Sequence, residues 1–210
     1  QSMCMKNVQL GMNFLDCISE LTNCRIVLMP GSCWEYEGYN GACKETRMPA
    51  PQKWFTWSKR TLLDALRIAC SEFDKQWYWM RVFFVYGPGQ RKGSLLPNAY
   101  ELLSRGEPFE VKNAQAAQDF IHIDDLCRLF ITMLDKQPPS GIYNAGSGKL
   151  SSVASVAKAV KAHLEQKPFP NLHPDGIKGY YASQDKVNSS TGWSPGLPIE
   201  QLTTSTLEHF

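Results

Sequence analysis

The chain has 210 residues, of which 43% are hydrophobic and 20% are charged, and its formal net charge is +2. This composition is typical of a globular protein with one good core or two small domains. The basic residues are scattered, so neither a nucleic-acid footprint nor a membrane-surface patch is indicated. No apolar stretch approaches the roughly 20 residues needed to span a bilayer.

The cysteines are odd in number and scattered, and no two of them form a C-x-x-C pair. This usage favours a reducing compartment, so we predict a cytoplasmic protein. The histidines are also dispersed, without the spacing of metal ligands, and we expect no metal site. Residues 1–3 resemble the remnant of a cleaved tag, and we set them aside in predicting the fold.

Hydrophobic periodicity predicts two helices and two buried strands in the first half of the chain. Apolar residues at three- and four-residue steps predict helices over 5–22 and 56–73. The apolar runs 25–29 and 77–87 end at glycine and proline, as buried strands do. Residues 31–53 are rich in glycine, proline and charge, and we expect a long loop there.

The second half repeats this alternation. Helix 96–105 is predicted to end at Gly106. The sequence "DFIHIDDL" is predicted to turn from a strand into helix 124–136, with Asp124 as its N-cap.

The strand "GIYNAGSG" (141–148) then leads to helix 152–165, for which Ser151 is the expected cap. A short helix near 184–190 and a last helix from about 198 complete the chain.

Strands that alternate with helices of ten or more residues predict an α/β fold with a parallel sheet and crossover helices. Ligands of such sheets bind at the carboxyl ends of the strands. The stretches 30–36, 85–91 and 144–148 all leave strand ends. We therefore expect these three stretches to meet in one crevice.

Six motifs occur in the order and spacing of one family: "PGSCWEY", F-x-x-x-K, "RVFFVYGPGQ", "QDFIHIDDL", "GIYNAGSG" and "TGWSP". Together they resemble the extended short-chain dehydrogenase/reductase family of NAD-dependent nucleotide-sugar epimerases, dehydratases and reductases. The resemblance implies a partial Rossmann-like sheet formed by residues 4–88 and 118–147. It also implies a small substrate-binding subdomain formed by 89–117 and 148–210.

The resemblance assigns roles to several residues. Ser32 would hydrogen-bond the sugar of a nucleotide-sugar substrate. Lys59 would hold the ribose of NAD or NADP and lower the pKa of a catalytic tyrosine one helical turn away. Phe83 and Val85 fall at positions that line the cofactor. Without the family context, Ser32 would be read as a turn residue and Lys59 as a surface lysine.

Several positions depart from the family pattern. Phe55 stands where the family has its catalytic tyrosine and carries no ionisable group. The alternative for Phe55 is packing in the core, and Tyr36 and Tyr39 are the nearest tyrosines that could replace its function. Phe84 stands at the position of a substrate-binding asparagine. Gln118 stands at the position of a diphosphate-binding arginine.

Two further residues belong to the expected substrate site. Ser94 retains the short polar residue before Leu-x-Pro. Arg91 could contact the diphosphate in place of the missing arginine, or be a solvated loop residue.

The sequence contains no G-x-x-G-x-x-G, the turn with which the family holds the cofactor pyrophosphate. The turn "GSGKLSS" (146–152) does not match a phosphate-loop pattern. We therefore expect the cofactor half of the fold to be missing, and strand 25–29 to pair on one side with the strand near 77–84. Helices 5–22 and 56–73 correspond to those through which family members form homodimers.

Two functions follow from these features. The first is an NAD(P)-dependent nucleotide-sugar epimerase, dehydratase or reductase that lacks its N-terminal cofactor part and does not turn over substrate as this chain alone. The alternative is a non-catalytic relative that serves as a binding or assembly subunit.

Overall fold

The computed structural model of the chain describes residues 1–111, 113 and 115–201. Its α-helices are α1 (Ser2–Glu20), α2 (Trp54–Glu72), α3 (Leu95–Ser104), α4 (Ile123–Lys136), α5 (Val153–Leu164) and α6 (Asp185–Thr191). Its strands are β1 (Ile26–Pro30), β2 (Gly41–Cys43), β3 (Gln76–Val82), β4 (Phe84–Tyr86), β5 (Ala117–Gln118), β6 (Phe120–His122), β7 (Gly141–Ala145), β8 (Ser151–Ser152) and β9 (Tyr180–Ala182). Short 3₁₀ turns span Cys33–Tyr36 and Ile199–Gln201.

The central sheet has three parallel strands in the order β1-β3-β7. Apolar side chains cover both of its faces, as expected of parallel strands. On one face, Leu15 of α1 and Leu66 of α2 pack with Trp79 of β3. On the other face, Met133 of α4 packs with Tyr143 of β7. The predicted α/β fold is confirmed, and so is the pairing of strand 25–29 with the strand that begins near residue 77.

The predicted strand 77–87 is two strands, because the backbone changes partner at Phe83. The Phe83 N–H donates to the carbonyl of Ala145, which extends the contact with β7. The next N–H, that of Phe84, donates to the carbonyl of Asp119 instead. From there β4 pairs in parallel with β6 in a separate sheet. The chain thus leaves the central sheet one residue before the position where the family has its asparagine.

Both predicted helix caps are wrong. The N-cap of α4 is His122, whose Nδ1 accepts a hydrogen bond from the N–H of Asp124. The N-cap of α5 is Ser152, whose hydroxyl accepts from the N–H of Ser155. Ser151 pairs with Gln118 in the antiparallel β5–β8 ladder. In each case the strand continues to the cap residue, and the helix begins directly after it.

Other predicted elements differ in their bounds. The predicted loop 31–53 contains a 3₁₀ turn and β2, which pairs with β9. Helix α1 begins at Ser2 and ends at Glu20, where 5–22 was expected. A 3₁₀ turn occupies 199–201 where a last helix was expected, and the rest of that prediction, from residue 202, lies outside the described residues.

A second apolar core joins α3 and α5. Leu96 and Ala99 of α3 pack with Val156 and Val160 of α5 and with Phe120 of β6. These are the helices predicted for the substrate-binding subdomain, and the division of the chain into two units stays a prediction. In the part of the chain that the structure describes, no helix has the length and apolar character needed to cross a membrane.

Candidate active site

Ser32 begins the 3₁₀ turn that follows β1. Its extended backbone lets its hydroxyl accept a hydrogen bond from the N–H of Trp34 at 3.3 Å. Its own N–H donates to Oε1 of Glu35 at 2.9 Å, which completes a capping box. The capping interactions fix the turn at the carboxyl end of the strand and leave the Ser32 hydroxyl proton available to a ligand.

A buried ion pair lies beneath this turn. The Nε of Arg81 donates to Oε2 of Glu35 at 2.9 Å, and both side chains are almost fully buried. The indole N–H of Trp79 donates to Oε1 of Glu35 at 2.9 Å. Arg81 also donates to the carbonyl of Arg47 at 2.9 Å. The Glu35 carboxylate is therefore held by β3 and in turn holds the backbone of Ser32.

Lys59 on α2 reaches the same strand end. Its Nζ donates to the carbonyl of Pro30 at 2.9 Å, two residues before Ser32. Partial burial lowers the pKa of Lys59, and the nearby Glu35 carboxylate opposes that shift. The structure thus brings Lys59 and the turn that carries Ser32 to one strand end.

Phe55 lies on α2 one turn before Lys59, and its side chain is 39% exposed. The alternative that Phe55 packs in the core is therefore wrong. An aromatic ring without an ionisable group stands at the surface where the family tyrosine is expected.

Of the two nearby tyrosines, Tyr36 is held through its hydroxyl and Tyr39 makes a cation–π contact through its ring. Tyr36 is fully buried, and its hydroxyl donates to Oδ1 of Asn144 at 2.8 Å. Burial raises the pKa of Tyr36 well above its usual range, although Arg81 opposes the shift. Tyr39 lies under the guanidinium of Arg47, at 3.9 Å from the ring centroid. The Tyr36–Asn144 bond confirms that stretches 30–36 and 144–148 meet.

Phe84 approaches the same turn from β4. Its ring lies 6.2 Å from that of Trp34 in an edge-to-face arrangement, with an interplanar angle of 67°. On its other side it contacts Phe120, with centroids 6.2 Å apart. The contact is made by Phe84, which precedes the stretch 85–91, so the expectation that 85–91 joins the crevice stays a prediction.

The other predicted site residues differ in their burial and in their partners. The side chain of Phe83 is buried and stacks on Tyr36. Val85 pairs with Ile121 in the β4–β6 ladder. Gln118 is half-buried in β5. Arg91 is exposed in the turn before α3, and its carbonyl accepts from the N–H of Ser94.

The glycine-rich turn at 146–149 binds a carboxylate of the protein itself. The N–H groups of Ser147 and Gly148 donate to Asp119, which is fully buried and also accepts from the N–H of Ala182. These donors would otherwise form an anion cradle. The turn therefore joins β6, β7 and β9 and leaves no N–H of Ser147 or Gly148 for a phosphate.

Sequence reasoning missed Glu35, Arg81 and Asp119. Each lies inside a motif that carried the resemblance, but charged residues are almost never fully buried unless they are paired. The available signal was the position of Arg81 within an otherwise apolar strand, where a charge requires a buried partner.

The residues present fit one end of a dinucleotide cofactor. The ammonium of Lys59 is a suitable donor for ribose hydroxyls at the carboxyl end of β1. The pyrophosphate would need free backbone N–H groups at a helix N-terminus. The 146–149 turn does not supply them, because Asp119 already accepts from them.

A model of the NAD dependent epimerase/dehydratase family matches residues 1–146. The UDP-glucuronic acid 4-epimerase from Bacillus cereus in complex with NAD superposes with a TM-score of 0.84 and 17% identity over 97% of this chain. WbmG from Bordetella bronchiseptica, in complex with NAD and UDP, superposes with a TM-score of 0.79 and 19% identity over 98% of this chain.

A tyrosine-to-phenylalanine mutant of the B. cereus epimerase, in complex with UDP-4-deoxy-4-fluoro-glucuronic acid and NAD, gives a TM-score of 0.81 and 18% identity over 97% of this chain. The chain spans 65% of the length of that mutant and 66% of the other two structures. At these identities the likeness establishes the fold: these strands and helices have the arrangement of Rossmann-type epimerases.

Proposed function

The chain belongs to the NAD-dependent epimerase/dehydratase family, and on that premise we propose that its Ser32 turn binds the sugar of a nucleotide sugar. The hydroxyl of Ser32 would donate a hydrogen bond to a hydroxyl or carbonyl oxygen attached to the sugar ring. The capping bonds to Trp34 and Glu35 support this role, because they hold the hydroxyl in place before a ligand arrives.

The observation that carries the proposal is the position of Lys59. Its Nζ lies at the carbonyl of Pro30, so an ammonium and the Ser32 turn occupy the same strand end. Lys59 would hold the cofactor ribose, and Phe83 and Val85 would line the cofactor. NAD, when bound, supplies a hydride acceptor and donor. The similar structures from B. cereus and B. bronchiseptica contain NAD, which supports NAD as the cofactor type.

We further propose that this chain binds but does not turn over such a substrate. Phe55 cannot take or give a proton, and Tyr36 uses its hydroxyl proton in the bond to Asn144. Binding does not require every tyrosine: the B. cereus mutant with phenylalanine in place of one tyrosine is in complex with both NAD and a UDP-sugar analogue. In this chain too, ligand binding would not need a tyrosine hydroxyl at position 55, whereas turnover would.

The remaining substrate contacts are Phe84, Ser94, Arg91 and Gln118. Gln118 lacks the charge of the arginine expected there, and losing such a contact typically costs about 1.5–3 kcal/mol. Affinity should accordingly be weaker than in relatives that retain the arginine. Residues 4–88 and 118–147 would form the sheet domain, and 89–117 with 148–210 the substrate subdomain.

The test is calorimetric titration of UDP-glucose, with UDP as the reference ligand, into the wild-type chain and Ser32→Ala. Ser104→Ala is the control, because Ser104 is an exposed hydroxyl at the end of α3. We expect Ser32→Ala to weaken UDP-glucose binding by up to about tenfold, the value of one neutral hydrogen bond, and to leave UDP binding unchanged. Equal affinities of Ser32→Ala and Ser104→Ala, or no binding to the wild-type chain, would refute the proposal.

A second candidate function is assembly, favoured by the apolar surface of α1 and α2. Met12 of α1, Ile68 of α2 and Phe73 at the end of α2 line one groove between the two helices and are 37%, 67% and 38% exposed. Apolar clusters of this kind mark protein–protein interfaces. We propose a homodimer formed through these two helices, which is compatible with ligand binding at the opposite end of α2.

A further inference from the structure

Three hydrogen-bond donors converge on the buried carboxylate of Glu35. The N–H of Ser32 and the indole N–H of Trp79 both donate to Oε1, each at 2.9 Å. The Nε of Arg81 donates to Oε2, also at 2.9 Å. A carboxylate presents only acceptors, so it satisfies all three donors at once. An amide of the same shape would set its own N–H groups against one or more of these donors, whichever way it was turned.

The backbone before Ser32 leaves room for this carboxylate. A Cβ atom at Gly31 would lie 2.7 Å from Oε1 of Glu35 and 2.2 Å from Nε1 of Trp79. Residue 31 is therefore a glycine at a point of close approach, where any side chain would displace the Glu35 carboxylate. The N–H of Gly31 donates to the carbonyl of Met80 at 2.7 Å. Strand β3 thus holds the residue before Ser32, while Glu35 holds the N–H of Ser32 itself.

We propose that Glu35 is a positioning residue of the sugar site, which fixes the backbone of Ser32 and with it the direction of the Ser32 hydroxyl. This inference rests on the proposed function and adds a residue that acts through Ser32 rather than on the ligand. A capping box needs only the bonds between Ser32 and residue 35. The bonds from Trp79 and Arg81 also fix the Glu35 side chain, so the turn is ordered before a sugar binds.

The first test measures the ratio of UDP-glucose affinity to UDP affinity by calorimetry, because this ratio isolates the contact with the sugar. Glu35→Gln keeps the size of the side chain and changes its acceptors, and it should lower the ratio by about three- to tenfold. Gly31→Ala should lower the ratio in the same way, because its Cβ displaces the carboxylate. An unchanged ratio in a folded Glu35→Gln variant would overturn the inference.

A double-mutant cycle shows whether Glu35 acts through Ser32. Ser32→Ala removes the hydroxyl and keeps the backbone N–H that Glu35 accepts from. If the hydroxyl is absent, its direction no longer matters, so Ser32→Ala combined with Glu35→Gln should match Ser32→Ala alone to within about twofold. Losses that multiply in the combined variant would show that Glu35 acts independently of the hydroxyl, which would contradict a positioning role.

Adding Arg81→Met to Glu35→Gln tests the same point by rescue. The methionine removes the donor that opposes the amide, so Oε1 can again accept from Ser32 and Trp79. The affinity ratio of this variant should return to within about threefold of the wild-type value. A ratio as low as that of Glu35→Gln alone would overturn the inference, since the pattern of acceptors would not be the cause of the loss.

Asp125→Asn is the control for loss of stability. Asp125 is also a buried carboxylate, and it accepts from the N–H groups of Gly196 and Leu197, which are not among the predicted site residues. Thermal unfolding compares the stability of this variant with that of Glu35→Gln. We expect Asp125→Asn to keep the wild-type affinity ratio. An equal fall of the ratio in both variants would show that Glu35 has only a structural role.

Two outcomes separate the inference from the proposed function. Loss of UDP-glucose affinity in Ser32→Ala, with a wild-type ratio in Glu35→Gln, would refute the positioning role and leave the Ser32 site intact. Absence of UDP-glucose binding by the wild-type chain would remove both.

Discussion

Arg81 and Glu35 form an ion pair with 2.9 Å between Nε and Oε2, in a setting where the two side chains are 1% and 6% exposed. A buried charge without its partner is costly, typically by about 3–5 kcal/mol. We predict that Arg81→Met destabilises the chain by about that amount in urea unfolding, because it leaves the Glu35 carboxylate buried and unpaired. The exposed pair Arg105–Glu101 is the control, and Arg105→Met should cost under about 1 kcal/mol.

The double variant Arg81→Met with Glu35→Gln separates packing from charge. Removing both charges should recover part of the loss. Equal stability of Arg81→Met and Arg105→Met would contradict the role of this pair in holding the Ser32 turn.

The buried thiols should be unreactive in the folded chain. Burial raises the pKa of Cys33 and of Cys43 to about 12, and that of Cys70 to about 11. The thiolate is the reactive form, so their reaction with iodoacetamide should be at least about a hundredfold slower than that of the exposed Cys127. Mass spectrometry of peptides from timed labelling measures this, with labelling in urea as the reference. Comparable rates at Cys33 and Cys127 in the folded state would refute it.

Glu45 should make stability depend on pH. Burial raises the pKa of Glu45, and hydrogen bonds from its own N–H and from the Asn144 N–H partly oppose the shift. Because the pKa of Glu45 is higher in the folded state than in the unfolded state, its protonated form stabilises the folded chain. This stabilisation is complete below the unfolded pKa of about 4.3 and is lost as pH rises through the folded pKa.

Glutamine does not ionise, so Glu45→Gln does not undergo this loss of stability as pH rises. The free energy of unfolding of Glu45→Gln relative to wild type should therefore increase from pH 4 to pH 7. Glu107→Gln is the control, because Glu107 is exposed in the turn after α3. A difference between Glu45→Gln and wild type that stays constant with pH would show that Glu45 does not titrate abnormally.

The apolar surface of α1 and α2 should mediate dimerisation. In sedimentation velocity, the wild-type chain should be a dimer, and Met12→Glu combined with Ile68→Glu should be a monomer, because four charges cannot be buried together at a twofold interface. Ile131→Glu is the control, since Ile131 is 59% exposed but lies on α4. A monomeric wild-type chain at micromolar concentration, or a dimer that survives the double substitution, would contradict this interface.

The sequence predicted the elements of the fold better than their ends. Helices α2 and α4 and strand β1 were evident because apolar periodicity and terminal glycine or proline residues are local signals. The change of sheet at Phe83 was not, because it depends on a hydrogen bond from Phe84 to Asp119, which is distant in sequence. The N-cap at His122 was missed since an imidazole nitrogen is an unusual capping acceptor.

The candidate site was also predictable only in part. Ser32 and Lys59 could be placed because motif spacing identifies strand ends and helix faces. The exposure of Phe55 and the aromatic contact between Trp34 and Phe84 could not, because they depend on how the 3₁₀ turn and β4 are oriented. The hydrogen bonds from the 146–149 turn to Asp119 could not be predicted either, because they join residues that are far apart in sequence.

We propose that this chain binds a nucleotide sugar without converting it, because Phe55 leaves the site without its acid–base group. The most direct measurement is an NMR assay of purified chain with NAD and UDP-glucose, at a concentration where calorimetry shows the sugar to be bound. We expect bound UDP-glucose and no epimerised, dehydrated or oxidised product from the wild-type chain. Formation of any such product by the wild-type chain would contradict it, since a phenylalanine at position 55 would then be no obstacle to proton transfer.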